Sequence, residues 1–295
     1  MNNTLDTLRK EYEEVPIPEE LGFVVDRAIK QSLKVRRNKS VKTKWFAGVG
    51  AAALIFLVTI NTSPAVANAL STIPGVDRII KVLTLKEFVV DESNYNANIK
   101  VPAITNLDNK ALELGLNEKY LKENKALYDK FQAEIKDMKK QGKGNLGLDA
   151  GYEVKTDTDE ILSIERYVVE IEASSSEEIK LDTIDKKNQV LITLPMLFKD
   201  ERYIQLISDN IKQQMRAEMK ADPDKVYWIP GTANILPTDE FNTIKEDQSF
   251  YINKDGKLVI VFNKYDVAPG YMGVAEFVIP TEAIVDDLAG HNYIK

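Results

Sequence analysis

Residues Trp45 to Ala67 read WFAGVGAAALIFLVTINTSPAVA, a stretch without a charged side chain that directly follows a basic run. From Arg27 to Lys44 there are eight cations (Arg27, Lys30, Lys34, Arg36, Arg37, Lys39, Lys42 and Lys44) and no acid. Cationic flanks stay on the cytoplasmic side of a membrane. The stretch therefore predicts a cytoplasmic N-terminus, one transmembrane helix over residues 45–63 and an exported remainder. Its apolar core, Trp45 to Ile60, is 16 residues, short of the ~20 that span a bilayer comfortably. Asn61, Thr62 and Ser63 extend it to a feasible length. Pro64 then ends the helix, and Ala65-Val66-Ala67 is the small-x-small pattern that signal peptidase reads, overlapped by a second register at Ala67-Asn68-Ala69. Two readings follow: an ordinary cleaved secretory signal, or an anchor that is cut on demand. The patterned sequence ahead of the core favours the anchor, because a signal peptide needs only a short basic tail there.

With 295 residues, 44% of them hydrophobic, the chain can bury a real core in one or two domains outside the membrane. Cysteine is absent and the single histidine is His291, near the C-terminus. That inventory leaves no disulfide framework, thiol chemistry or His/Cys zinc site, and no cofactor or metal is expected. The net charge of −7 conceals an asymmetry: 10 Lys+Arg and 7 Asp+Glu up to Ala67, then 29 and 39 beyond it, a net of −10. An acidic exterior attracts basic proteins, with on-rates that rise as salt falls.

In the arm of residues 1–44, Leu5, Leu8 and Tyr12 recur at helical spacing until Val15-Pro16-Ile17-Pro18 interrupts them, since each proline disfavours helix in the residue before it. Leu21, Val24, Val25, Ala28 and Ile29 then form an amphipathic stripe, with Glu19 and Glu20 in the first turn and Arg27, Lys30 and Lys34 toward the end. Two such short helices cannot cover their stripes against each other. The stripe needs a membrane surface or a partner's groove, and Glu11, Glu13 and Glu14 favour a protein partner over an anionic leaflet.

Beyond the span, residues 64–109 read as a juxtamembrane segment carrying the cleavage site. Within it, Ile73 to Val90 suggests a continuing helix and Asn94 to Asp108 a polar connector. Residues 110–150 form a helical segment in which Leu112, Leu116, Leu121, Leu127, Phe131, Ile135 and Met138 trace an imperfect stripe before the break at Gln141 to Asn145. Residues 151–295 read as an α+β sensor domain. Short strands are expected at Ile161 to Ile171, Leu191 to Leu194, Ser249 to Asn253 and Lys257 to Phe262, with a hairpin turn at Asn253-Lys-Asp-Gly256. Glu201 to Lys220 is the one strong helix there, its apolar side formed by Tyr203, Ile204, Ile207, Ile211 and Met215. The expected fold class is thus α+β: a short cytoplasmic helical arm, one transmembrane helix, and an exported domain of helix packed on antiparallel sheet.

The arm LRKEYEEVPIPEEL, the basic-flanked span ending in Ala-x-Ala, and the block FNKYDVAPGYMGVAEFVIP at Phe262 to Pro280 occur in this order. Together they resemble the lysozyme-responsive anti-sigma-V factors of low-GC Gram-positive bacteria. The C-terminal block is similar to an exported domain also attached to surface polysaccharide deacetylases, although this chain carries no deacetylase half. The resemblance implies a non-enzymatic, single-pass membrane regulator without direct nucleic-acid contact. In such a regulator the arm holds an extracytoplasmic-function sigma factor, the exterior senses lysozyme, and signal peptidase and then a site-2 protease cut the chain to free the sigma factor. It places sigma-factor contacts on Leu5, Leu8, Tyr12, Leu21, Val24, Val25 and Ile29. A partner that fills the cleft of a basic enzyme would present a tight turn with a rigid aromatic anchor among acids. Pro269 and Tyr271 in Ala268-Pro-Gly-Tyr271 meet that need, with Asp266 nearby and Ser175 in the expected turn Ser174 to Glu178 as a second contact. The competing reading has Tyr271 begin a strand and pack inward on Val274 or Phe277. At the level of function, the alternatives are a secreted hydrolase, against which the His/Cys inventory argues, and a surface module for wall polymer, which would have no use for the arm.

Overall fold

The structure is a computed structural model that describes residues 80–142, 144–232 and 240–295. The arm with its stripe, the span at 45–63 and the site at Ala65 and Ala67 lie outside the described residues. Among the described residues, no helix is long and apolar enough to cross a membrane.

The first layer is a six-stranded sheet in the order β1 (Lys81–Glu92), β2 (Tyr95–Thr105), β3 (Leu146–Asp157), β4 (Ile161–Ile171), β5 (Ser175–Asp185) and β6 (Val190–Ile192). Every pairing is antiparallel except β2 with β3, which is parallel. Parallel neighbours need a crossover, and helix α1 (Lys110–Gln141) supplies it. This sheet is therefore mixed, and the expected helix on an antiparallel sheet is found in the second layer.

The stretch expected as a helix near Ile73 to Val90 is strand β1 over its described part, and the expected connector is β2. Lysine-spaced apolar clusters do not declare a period. What settles them is pairing, in which Phe88 and Val90 bury against the helix side while the intervening residues stay partly exposed. Pro102 sits within β2 with no N–H to donate, and the β1 register shifts between Thr84 and Lys86 opposite it.

Helix α1 begins and ends as its sequence directs. The Asn109 side chain accepts from the Leu112 N–H at 3.1 Å, and Glu113 reaches back to the Leu107 N–H at 2.8 Å. Gly142 takes φ 68° and donates to the Lys139 carbonyl, closing the helix. Leu116, Tyr120, Phe131 and Ile135 are buried on the sheet, whereas Leu121, expected in the stripe, is turned outward and Tyr120 takes its place.

The second layer is a three-stranded antiparallel sheet of β7 (Phe250–Ile252), β8 (Leu258–Phe262) and β9 (Ala275–Ile279). Gly256 at φ 71° makes the expected hairpin turn, with its N–H on the Asn253 carbonyl at 2.9 Å. Helix α2 (Arg202–Ala221) lays Tyr203, Ile207, Ile211 and Met215 on one face of this sheet, against Phe250, Ile252, Leu258, Ile260, Phe262 and Phe277. The opposite face, Tyr251, Val259 and Val261, covers Ile179 of β5. With both faces covered, β8 reads as the unbroken apolar run Leu-Val-Ile-Val-Phe and is buried throughout.

A partly buried polar cluster ties the two sheets together. The register shift in β3 between Val154 and Thr156 directs Lys155 at Glu276 of β9 (2.9 Å) and Glu165 of β4 (3.4 Å), and the Tyr251 hydroxyl donates to Glu276 at 2.9 Å. Burial, followed by the Glu276 bond, pushes the Tyr251 hydroxyl up to about 12.

Candidate partner-docking site

The β8–β9 connection and the β4–β5 turn meet at one end of this two-sheet assembly. After β8, three consecutive residues reach across to the β4–β5 hairpin. The Asn263 side chain accepts from the Ile179 N–H at 2.7 Å. The Lys264 ammonium donates to Ser175 Oγ at 2.6 Å, and its backbone N–H bonds the Glu177 carbonyl. Tyr265 shares a hydrogen bond between its hydroxyl and Ser174 Oγ at 3.0 Å.

The chain then turns through Pro269 into a single 3-10 turn, Gly270–Met272, which ends at Gly273 with φ 69° and ψ −149°. Only glycine adopts that conformation at little cost. Gly270 is needed for space rather than for φ: a Cβ there would lie 2.3 Å from Tyr265 Cζ. Tyr271 projects outward, 68% exposed. Its hydroxyl donates to the Asp224 carbonyl at 2.9 Å, on the turn that follows α2. That turn is braced from behind, since Glu218 accepts from the Tyr227 hydroxyl (2.8 Å) and from Lys225 (2.6 Å).

Tyr271 does not start a strand and is exposed rather than packed inward; β9 begins only at Ala275. Ser175 is not on a turn either. It is the first residue of β5, paired with Ile171, and the turn is confined to residues 172–174. A polar run such as Ser-Ser-Ser-Glu-Glu reads as a loop, but here Glu177 and Glu178 alternate across a strand whose partner β4 supplies the apolar residues. The structure links the turn that holds Pro269 and Tyr271 to Ser174, the neighbour of Ser175, through Tyr265, whose ring lies over Gly270. Sequence reasoning expected the two turns only as separate contacts. It passed over Tyr265 itself, whose one signal was its place between two charges in Asn263-Lys-Tyr-Asp-Val.

Beside this region a groove of about 720 Å³ runs between the C-terminal half of α1 and the β4–β5 turn, with Tyr265 at its edge. Its charged lining is Glu134, Asp137, Glu170 and Glu172 against Lys130 alone. The groove continues into a recess of about 470 Å³ over β4 and β5. There the charges satisfy one another: Lys130 with Glu170 at 3.0 Å, Lys180 with Glu178 at 3.1 Å, and Arg166 with Glu123 at 2.6 Å. Burial alone would lower the Arg166 pKa, but Asp182 and Glu123 outweigh it and hold it up. Among the described residues, no group of three or more His, Cys, Asp or Glu is placed to hold a metal ion.

The chain is 45% identical to the anti-sigma-V factor RsiV of Bacillus subtilis (strain 168), over the full length of both. It belongs to the anti-sigma-V factors. Within this anti-sigma-V factor, residues 196–282 match a family described as a protein of unknown function, DUF3298. That span contains α2, the three-stranded sheet, Pro269 and Tyr271. Two crystal structures of DUF3298 proteins share the fold. One, from Bacteroides fragilis NCTC 9343, is 18% identical, covers 72% of this chain and 95% of its own, and has a TM-score of 0.52. The other, from Pseudomonas aeruginosa PAO1, is 14% identical, covers 75% and 99%, and has a TM-score of 0.50.

Proposed function

We propose that this anti-sigma-V factor is a single-pass membrane protein, N-terminus in the cytoplasm and C-terminus outside, that releases a sigma factor when its exterior binds lysozyme. Residues 1–44 hold an extracytoplasmic-function sigma factor through the stripe at Leu21, Val24, Val25 and Ile29, with Leu5, Leu8 and Tyr12 as a second contact. Lysozyme docks on the exterior through Tyr271, Pro269 and Ser175. Signal peptidase then cuts at Ala65-Val66-Ala67, and a site-2 protease cuts the stump.

The observation that carries the sigma-factor half of this reading is 45% identity to the anti-sigma-V factor RsiV in a match that covers the whole chain. The lysozyme assignment draws further support from the net charge of −10 beyond Ala67 and from an anchor-type tyrosine held outward on a braced turn. A pull-down with residues 1–44 as bait tests the first half, since it should retain a sigma factor. Binding of the full-length chain in detergent micelles to immobilised lysozyme tests the second. A bait that retains no sigma factor, or a chain that ignores lysozyme, defeats the corresponding half.

A further inference from the structure

Among the described residues, three that are not glycine have positive φ: Asn106, Gln189 and Tyr265 at φ 74°. Asparagine visits that region readily, but a bulky aromatic there is a genuine outlier. Glycine or asparagine would hold the same backbone with less strain. The tyrosine does not win its place by burial, because 45% of it is exposed. What it does is join two turns. The ring fills the space over Gly270 that any side chain at that position would need, with 2.4 Å from a Cβ there to the hydroxyl oxygen. The hydroxyl bonds Ser174, and the neighbouring Lys264 bonds Ser175.

We infer that Tyr265 is a positioning residue that locks the β4–β5 turn at Ser174 and the Pro269–Tyr271 turn into one preorganised docking surface. This rests on the reading that these turns meet lysozyme. A surface already in its bound shape loses less conformational freedom on docking, and backbone strain retained at an exposed position is characteristic of functional sites rather than of stability.

The test uses the full-length chain in detergent micelles and a purified basic lysozyme as probe, with Tyr265→Gly, Tyr265→Asn and Tyr271→Ala compared by binding kinetics and thermal melting. Gly and Asn both accept φ 74° but cannot reach Ser174. Both variants should melt within a few degrees of the parent yet bind lysozyme at least tenfold more weakly, and Tyr265→Phe, which loses only the hydroxyl link, should fall in between. If Tyr265→Gly and Tyr265→Asn bind like the parent while Tyr271→Ala is weakened, the positioning role is wrong and the docking reading stands. If Tyr271→Ala binds like the parent, the docking reading fails, and the positioning role with it. If both Tyr265 variants melt far below the parent, the residue serves the fold and the inference is overturned.

Discussion

Truncating Tyr271 to alanine removes the outward anchor of the proposed docking surface, and the cost can be worked out from its exposure. A fully covered tyrosine buries ~200 Å². With 68% of the residue exposed before docking, a partner can cover roughly 140 Å² more, worth at most ~3.5 kcal/mol at ~25 cal/mol per Å². Alanine keeps the Cβ, and ordering the ring on docking costs ~0.5–1.5 kcal/mol. The net loss is thus ~2 kcal/mol, about 30-fold in Kd. The fold should barely notice, because Tyr271 is mostly exposed and the hydrogen bond given up is an exposed one to the Asp224 carbonyl, ~0.5 kcal/mol. Binding to immobilised lysozyme at fixed ionic strength, paired with a thermal melt of the same sample, measures both quantities. The reasoning is refuted if the variant unfolds, or if it binds as tightly as the parent.

Leu21→Asp or Val24→Asp should switch on the sigma factor constitutively, because each places a charge where burial of an apolar side chain is worth ~1.5–3 kcal/mol; unchanged repression in a reporter strain would favour the membrane-surface reading of the stripe. Ala67→Trp should block the first cut, since the residue just before the cleaved bond must be small, and mass spectrometry of the shed parent domain should find an N-terminus near Asn68 or Leu70. The Asp185 carboxylate accepts from the Lys187 and Asn188 N–H groups and from the hydroxyl of Tyr293. Burial pushes its pKa up, but these bonds, led by that of Tyr293, outweigh it and hold the carboxyl below its ordinary value. Its stabilising contribution is therefore complete above the unfolded pKa of ~3.9 and is lost as pH falls through the lower folded value. Tyr293→Phe should lower the melting temperature at neutral pH and narrow its gap to the parent in acid, and a gap that stayed constant with pH would contradict the assignment.

The sequence by itself determined the elements whose partners lie nearby in the chain. Helix α2 shows its stripe because Tyr203, Ile207, Ile211 and Met215 recur at helical spacing. Helix α1 carries its own stop in Gly142, and Asn253 to Gly256 encodes a hairpin turn without outside help. β4 was legible with its bounds, Ile161–Ile171, from its β-branched run. Pro269 and Tyr271 were legible as a turn, because proline and glycine punctuate the chain whatever surrounds them. Only the tertiary structure decided the rest. β1, β2, β3 and the polar β5 are strands because of what they pair with, and the parallel register of Tyr95 against Leu146 depends on a 32-residue helix folding back over the sheet. Nor does any local pattern tell that Tyr265 takes a left-handed conformation or that Gly270 must leave room for its ring. Those depend on Ser174, 91 residues earlier, and spacing along a chain carries no information about which distant side chain will be met there.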